Sequence, residues 1–290
     1  MFLREAAGPS GGPVIVLLHG WTASADLNWF TLYEPLTKVG HVIAVDHRGH
    51  GRGLRSDEEF TLEAAADDAA ALIRHLGHER VVAVGYSMGG PIAMLLWRRH
   101  PELVDGLIFE ATALEWRASL RERLTWKFLA GAELAFRLGP NRGLVERYLR
   151  FAAETSPELA QWREWLKGEM RRGDPAALAQ AGQALSRYDA RPFAGSVNVP
   201  TAVVVTTRDR LVRPQKQHAL ARAVPGAKEF TVAADHDAPL LHPLELATAT
   251  TDALASVLER LGQERAATAS ATESTSVAAL AEAGRVGDGR

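Results

Sequence analysis

The 290-residue chain predicts an α/β fold, a mostly parallel sheet covered by helices on both faces with a helical cap inserted into it. Three observations lead there. Short apolar runs rich in β-branched residues alternate with helical patterns over the first part of the chain, and the same alternation returns near its end. Between these parts, over residues 112–191, the strand pattern vanishes and the apolar spacing becomes helical. The runs are continuous rather than alternating, so each strand is buried on both faces, which calls for parallel pairing with helices above and below.

Taken in order, Val14–His19, His41–Asp46, Arg80–Tyr86 and Val104–Ala111 read as the first strands. Between the second and third, Leu62, Ala65, Ala66, Ala69, Leu72, Ile73 and Leu76 mark one helical face, with Thr61 placed to cap the helix and Gly77 to stop it. A second helix spans Pro91–His100, opened by a proline tolerated in the first turn and closed before Pro101. In the inserted segment the helical spacing shows at Trp116/Leu120/Leu124/Phe128 and at Leu159/Trp162/Leu166. A strand at Thr201–Thr207, a helix across Pro214–Val224, a strand at Lys228–Ala233 and a last helix at Pro243–Leu261 complete the sheet domain. The predicted division is therefore a core of residues 1–111 and 192–262, a cap of 112–191 and a mobile tail of 263–290. The tail is rich in Ala, Thr, Ser, Glu and Gly and has no aromatic residue to repay ordering.

Composition removes several classes of function. With 33 basic and 35 acidic residues the net charge is −2, which builds no cationic field for nucleic acid or an anionic membrane. The absence of cysteine excludes disulfides, thiolate metal sites and cysteine nucleophiles. No stretch reaches the roughly 18 apolar residues of a membrane span, and the first residues lack a secretory pattern, so the expected location is cytoplasmic with no stable membrane insertion.

The strongest chemical signal is Gly85-Tyr86-Ser87-Met88-Gly89-Gly90, a G-x-S-x-G between a strand and a helix. So sharp a turn strains the backbone at the serine, and glycines at 85 and 89 remove the collisions that larger side chains would cause. A serine hydroxyl needs a base to take its proton and a carboxylate to orient that base. Of ten histidines, His236 has the right address, on the loop after the last strand. Its rival His242 sits before Pro243 at the start of the final helix. Asp209 follows the strand Thr201–Thr207 and is the expected acid; Asp235 and Asp237 flank His236 and read as turn aspartates. An oxyanion also needs backbone donors, and the amides of Trp21, at the end of His19-Gly20-Trp21, and of Met88 are in place to supply them.

With these residues in view, the chain resembles the α/β-hydrolase superfamily, and within it capped bacterial serine esterases and perhydrolases with an H-G-W strand end. The resemblance runs through His19-Gly20-Trp21, Asp46-His47-Arg48-Gly49-His50-Gly51, the Ser87 motif, Asp209 and His236, and covers roughly residues 13–262. It implies a serine hydrolase that cleaves a carboxylic ester of a hydrophobic small molecule through an acyl-enzyme, with no cofactor. Thioester hydrolysis, carbon–carbon bond hydrolysis and perhydrolysis use the same triad, and a slow-turnover ligand receptor is the alternative of another class. Three features depart from the family: Gly53 stands where serine is frequent, Asp235 where glycine often precedes the histidine, and the segment before Val14 is short for the usual pair of leading strands.

Other signals are set aside. Gly49-His50-Gly51-Arg52-Gly53 is followed by a charged segment rather than an apolar helix, which argues against dinucleotide binding. Asp46, His47 and His50 lack the further ligands of a metal site, so no metal is expected. Four tryptophans of the cap, Trp116, Trp126, Trp162 and Trp165, are expected to meet substrate, because a cap roofs the cleft above the serine.

Overall fold

A computed structural model describes residues 1–117, 124, 126 and 162–287. Seven strands form one sheet in the order β1-β3-β2-β4-β5-β6-β7: β1 (Leu3–Ala6), β2 (Val14–Leu18), β3 (His41–Val45), β4 (Val81–Tyr86), β5 (Val104–Glu110), β6 (Thr201–Thr206) and β7 (Lys228–Val232). β1 pairs antiparallel with β3, and every other pairing is parallel. The expected fold class is the observed one. The helices are α1 (Ala25–Trp29), α2 (Tyr33–Thr37), α3 (Leu62–His75), α4 (Gly89–Arg99), α5 (Arg163–Met170), α6 (Pro175–Arg187), α7 (Pro214–Ala223), α8 (Ala238–Leu241) and α9 (Pro243–Gly287).

Alternation along each strand assigns the two faces of the sheet. Val16, Leu18, Ile43, Val45, Ala83, Leu107, Phe109, Val203 and Val205 join α3, α4 and α7 in one core. Their neighbours Ile15, Leu17, Val42, Ala44, Val82, Val84, Ile108, Ala202 and Val204 join α1 and α9 in the other. Continuous apolar strands are thus the consequence of helices on both sides. Thr61 caps α3 through its hydroxyl, which accepts from the Ala64 amide at 3.0 Å, a contact that stabilises a helix by about 1 kcal/mol.

Two expectations need correcting. The segment before Val14 does contribute a strand: β1 covers the edge beside β3, and its largely exposed Leu3-Arg4-Glu5-Ala6 carries no apolar run by which to find it. The last helix does not stop at Leu261. Its backbone continues to Gly287, because the Ala- and Glu-rich segment contains no proline and a lone Gly262 costs too little to break a helix already nucleated on the sheet. Residues 262–267 of that extension are exposed on all sides.

The described part of the inserted segment is tied to the loops above the sheet. The Asp174 amide donates to the Gly49 carbonyl at 2.8 Å, and the Phe60 amide donates to Gln180 Oε1 at 2.9 Å. From α5, buried Glu169 accepts from the Ser24 hydroxyl at 2.8 Å and pairs with Arg52, which also holds buried Asp26. Leu120, Phe128 and Leu159, named in the helical spacing of the cap, lie outside the described residues.

Candidate active site

Parallel strands end together, so the loops after β2, β4, β6 and β7 meet at one edge of the sheet. Ser87 stands on the turn from β4 to α4 with φ +52°, a left-handed conformation that a non-glycine residue adopts only when its surroundings enforce it. Here they do. The Ser87 amide donates to the Glu110 carbonyl at 2.8 Å, and the Ser87 carbonyl accepts from the Thr112 hydroxyl at 2.7 Å. A Cβ at Gly85 would run into the Gly89 carbonyl, and one at Gly89 into the Leu18 carbonyl. The two motif glycines are therefore a packing requirement of the elbow.

The structure brings Ser87, His236 and Asp209 into one hydrogen-bonded line. His236 Nε2 lies 2.9 Å from Ser87 Oγ and His236 Nδ1 lies 2.8 Å from Asp209 Oδ2. Buried Asp209 also accepts from the amides of Leu211 and Val212 at 2.9 and 2.7 Å and from the Thr206 hydroxyl at 2.8 Å. Gln217, fully buried on α7, braces this loop by donating to the Val212 carbonyl at 2.7 Å. The alternatives are elsewhere. His242 faces Glu245, and Asp235 accepts from the amides of Arg210 and His236 at 2.9 and 2.8 Å, which stitches the loop after β6 to the loop after β7.

Trp21 and Ser87 line one cavity of about 370 Å³, together with Thr22, Ala23, Leu27 and Leu240 among others. A Cβ built on Gly20 would lie 3.3 Å from Ser87 Cβ, so the strand end that carries Trp21 runs directly against the serine. Among the described residues, the backbone N–H groups of Trp21 and Met88 meet no protein acceptor. Asn28 fixes this strand end by accepting the Gly20 amide at 3.0 Å.

The four cap tryptophans are not among the described residues lining that cavity. Trp126 stacks between Trp21 and Trp116, at centroid distances of 5.8 and 6.3 Å, and its indole N–H donates to the Trp116 carbonyl. Trp162 and Trp165 gather around Phe30. Trp21 itself takes part in docking the inserted segment: its indole donates to the Leu178 carbonyl of α6 at 2.7 Å and its ring meets Trp126. Trp165 does reach the small cluster of Leu27, Leu166 and Leu240, two of which are cavity walls. Sequence reasoning missed Tyr86, the variable residue of the motif. Its hydroxyl donates to the His236 carbonyl at 2.9 Å and anchors the histidine loop.

The family profile described as alpha/beta hydrolase fold matches residues 13–243. The chain belongs to the α/β-hydrolase family. Membership carries with it the coarse activity class, a hydrolase of small molecules. Among curated proteins, this α/β-hydrolase is 30% identical over 241 residues to a pimeloyl-[acyl-carrier protein] methyl ester esterase of Xanthomonas oryzae, covering 79% of this chain and 90% of that protein. It is 28% identical over 205 residues to the AB hydrolase superfamily protein YisY of Bacillus subtilis, covering 69% and 75% of the two chains. Among solved structures, a thermophilic esterase from Thermogutta terrifontis superposes with a TM-score of 0.74 at 25% identity, covering 88% of this chain and 93% of that one.

Around the site of this α/β-hydrolase, burial sets the charge states. His19, His47 and His50 stack beneath the strand end that leads to Trp21, with His19 and His47 centroids 4.2 Å apart. Burial lowers His19 to about 4 and His50 to about 3, and holds His47 well below its ordinary range. His19 Nε2 accepts the His47 amide at 3.0 Å, so its Nδ1 carries the proton toward the Gly20 carbonyl, 2.7 Å away. At the cavity itself, burial and then the charge of Asp235 push the Asp237 carboxyl up. Among the described residues no group of metal-type ligands gathers at Ser87. The one group of metal-type ligands among the described residues, Glu5, His41 and His78, sits at the opposite end of β3 and is already engaged in a 2.9 Å pair between His41 and Glu5. No described helix is long and apolar enough to cross a membrane.

Proposed function

We propose that this α/β-hydrolase cleaves a carboxylic ester of a small, largely apolar molecule through an acyl-enzyme on Ser87. The observation that carries the reading is the line Ser87 Oγ, His236, Asp209, with contacts of 2.9 and 2.8 Å, opening into the cavity lined by Leu27 and Leu240. The methyl ester esterase similarity over 79% of the chain supports ester chemistry in particular.

In the proposed reaction His236 Nε2 takes the Ser87 proton as Oγ attacks the ester carbonyl carbon. The Trp21 and Met88 amides receive the negative oxygen of the tetrahedral intermediate. Collapse breaks the bond to the alkoxy oxygen, which leaves as the alcohol with the proton held by His236. Water then repeats the sequence on the acyl-enzyme, giving its proton to His236 and releasing the acid and the serine. Asp209 keeps the Nδ1 proton directed at itself and stabilises the imidazolium formed in each half. In this reading residues 112–191 form a cap over the core of 1–111 and 192–262, with Trp21 taking part in their docking.

The test is a fluorophosphonate probe followed by ester turnover. Wild-type protein should be labelled at Ser87 and hydrolyse nitrophenyl esters with multiple turnovers. Ser87→Ala should lose both while keeping its melting temperature, since alanine fits the space of the serine. Turnover that survives in this variant would refute the assignment, and labelling without turnover would favour a receptor.

A further inference from the structure

The wall of the cavity beside Ser87 carries a carboxylate, Asp237, that bonds to its own backbone amide. Asp237 precedes α8, the place where an aspartate ordinarily accepts the amide of the second or third helical residue. Its side chain makes no such bond. The first-turn amides of Leu240 and Leu241 go instead to the Asp237 backbone carbonyl, at 2.9 and 3.0 Å. Among the described residues no cation pairs with the Asp237 carboxylate, whereas its neighbour Asp235 is neutralised by Arg210. The described residues lining the cavity include no lysine or arginine; besides Asp235 and His236 the wall includes the apolar Pro239, Leu240, Leu27 and Ala23. His236 is committed to Asp209 and Ser87, and His242 faces Glu245.

A half-buried carboxylate in a largely apolar wall is costly, and the cost falls when a cation or strong donor enters beside it. An anion entering the same space raises it. Burial and the charge of Asp235 push the Asp237 carboxyl up, and a cation entering beside it favours its ionised form.

We propose that Asp237 selects substrate by charge, and that the molecule cleaved at Ser87 is an ester that carries an ammonium-type cation on an otherwise apolar body, with carboxylate-bearing esters excluded. The inference rests on the ester-hydrolase reading above and names the substrate class of that site. The cation sits against Asp237 at the cavity wall while the apolar part lies on Leu27 and Leu240. Asp237 takes no part in bond making.

The experiment compares nitrophenyl hexanoate with the nitrophenyl esters of 6-aminohexanoic acid and of adipic acid, which place a methyl, an ammonium or a carboxylate at the chain end. A second series puts the same three groups on the alcohol of a hexanoate ester. For each enzyme kcat/KM is divided by its own value for the neutral ester at pH 8, so that a general loss of activity cancels. Wild-type protein should prefer the ammonium to the carboxylate ester by about tenfold or more in at least one series, the scale of one charge across a partly dry site. Asp237→Asn should bring that ratio to within about threefold of unity. Fluorophosphonates with the same three chain ends read the preference as rates of Ser87 labelling. Selective labelling without ester turnover would uphold the charge selection and sink the ester reading. Equal use of both charged esters by the wild type, or a ratio unmoved in Asp237→Asn, would overturn the inference and leave that reading standing. Failure of both labelling and turnover would end the two together.

Discussion

Replacing Glu110 by glutamine should stabilise the protein at neutral and alkaline pH. Glu110 ends β5, is fully buried, and holds the elbow by accepting the Ser87 amide with its backbone carbonyl. Its side chain meets one partner, the Thr250 hydroxyl, 2.7 Å from Oε1, while that hydroxyl also lies 2.8 Å from the Leu246 carbonyl. A hydroxyl has one proton, so both contacts are satisfied together only when the carboxyl is protonated and donates to Thr250. Burial pushes the carboxyl from its ordinary 4.5 up to about 8. Between these values the native state keeps a proton that the unfolded chain has released, so the stability this group contributes is whole below pH 4.5 and is lost as pH rises toward 8. At about 1.36 kcal/mol per pKa unit, a rise of this size corresponds to a loss approaching 5 kcal/mol. Glutamine has the same shape, donates to Thr250 through its amide and does not titrate. The melting temperature of Glu110→Gln should exceed that of wild type at pH 8 by several degrees, at about 2 °C per kcal/mol for a chain of this size, and the gap should close toward pH 5. Thermal unfolding at half-unit steps from pH 5 to 9 and constant ionic strength measures it. Parallel curves, or a glutamine variant less stable throughout, would mean that Glu110 is ionised and paired in the native protein, and the proton accounting would be wrong.

Asp209→Asn should lower kcat by about 10⁴, because the Nδ1 proton loses its acceptor and the histidine its tautomer, whereas Asp235→Asn should cost far less; steady-state kinetics on a nitrophenyl ester distinguishes them, and the reverse order would move the acid to Asp235. On the acid side, His19 and His50, held neutral by burial at about 4 and about 3, should make stability fall as pH drops below 6.5, where the unfolded chain binds protons the native state refuses. In the Glu110→Gln background this should appear as a steady decline of melting temperature from pH 6.5 to 4, and a flat profile there would show that the three-histidine stack accommodates charge.

How far the sequence speaks depends on whether an element is made by its own residues or by its neighbours. β2 to β6 and α3 were legible because a strand buried on both faces must be apolar throughout, and because Thr61 and Gly77 punctuate the helix locally; β7, an edge strand with exposed Lys228, Glu229 and Thr231, showed only as a short run between turns. β1 was not, since one edge strand of four residues draws its order from β3 alone. α1 and α2 were not, since five-residue helices are too short to show a period. The positions of Ser87, Asp209 and His236 could be read because each follows a strand, and strand ends in a parallel sheet meet. The cap tryptophans were legible only as a buried helical face, because a stripe of aromatics says that a face is buried and not against what; Trp126 meets Trp21, whereas Trp162 and Trp165 meet Phe30.

The same distinction explains why one strand-end carboxyl is set up as an acid and the next is not. Glu110 and Asp209 lie at the ends of β5 and β6, adjacent strands in the sheet, and both are buried. Asp209 sits in a turn whose own amides, Leu211 and Val212, converge on Oδ1, with Thr206 and His236 on Oδ2. With Gln217 Nε2 at 3.3 Å the donors are five, a set that suits an anion. Glu110, one methylene longer and followed by no such turn, reaches into the packing of α9, where among the described residues Thr250 is its single partner and Oε2 has none. A single hydroxyl, free to accept the carboxyl proton, suits a neutral acid. The loop that follows a strand, rather than the strand or the carboxyl itself, decides which group can hold a negative charge behind His236, and Gln217 on α7 matters because it keeps that loop closed.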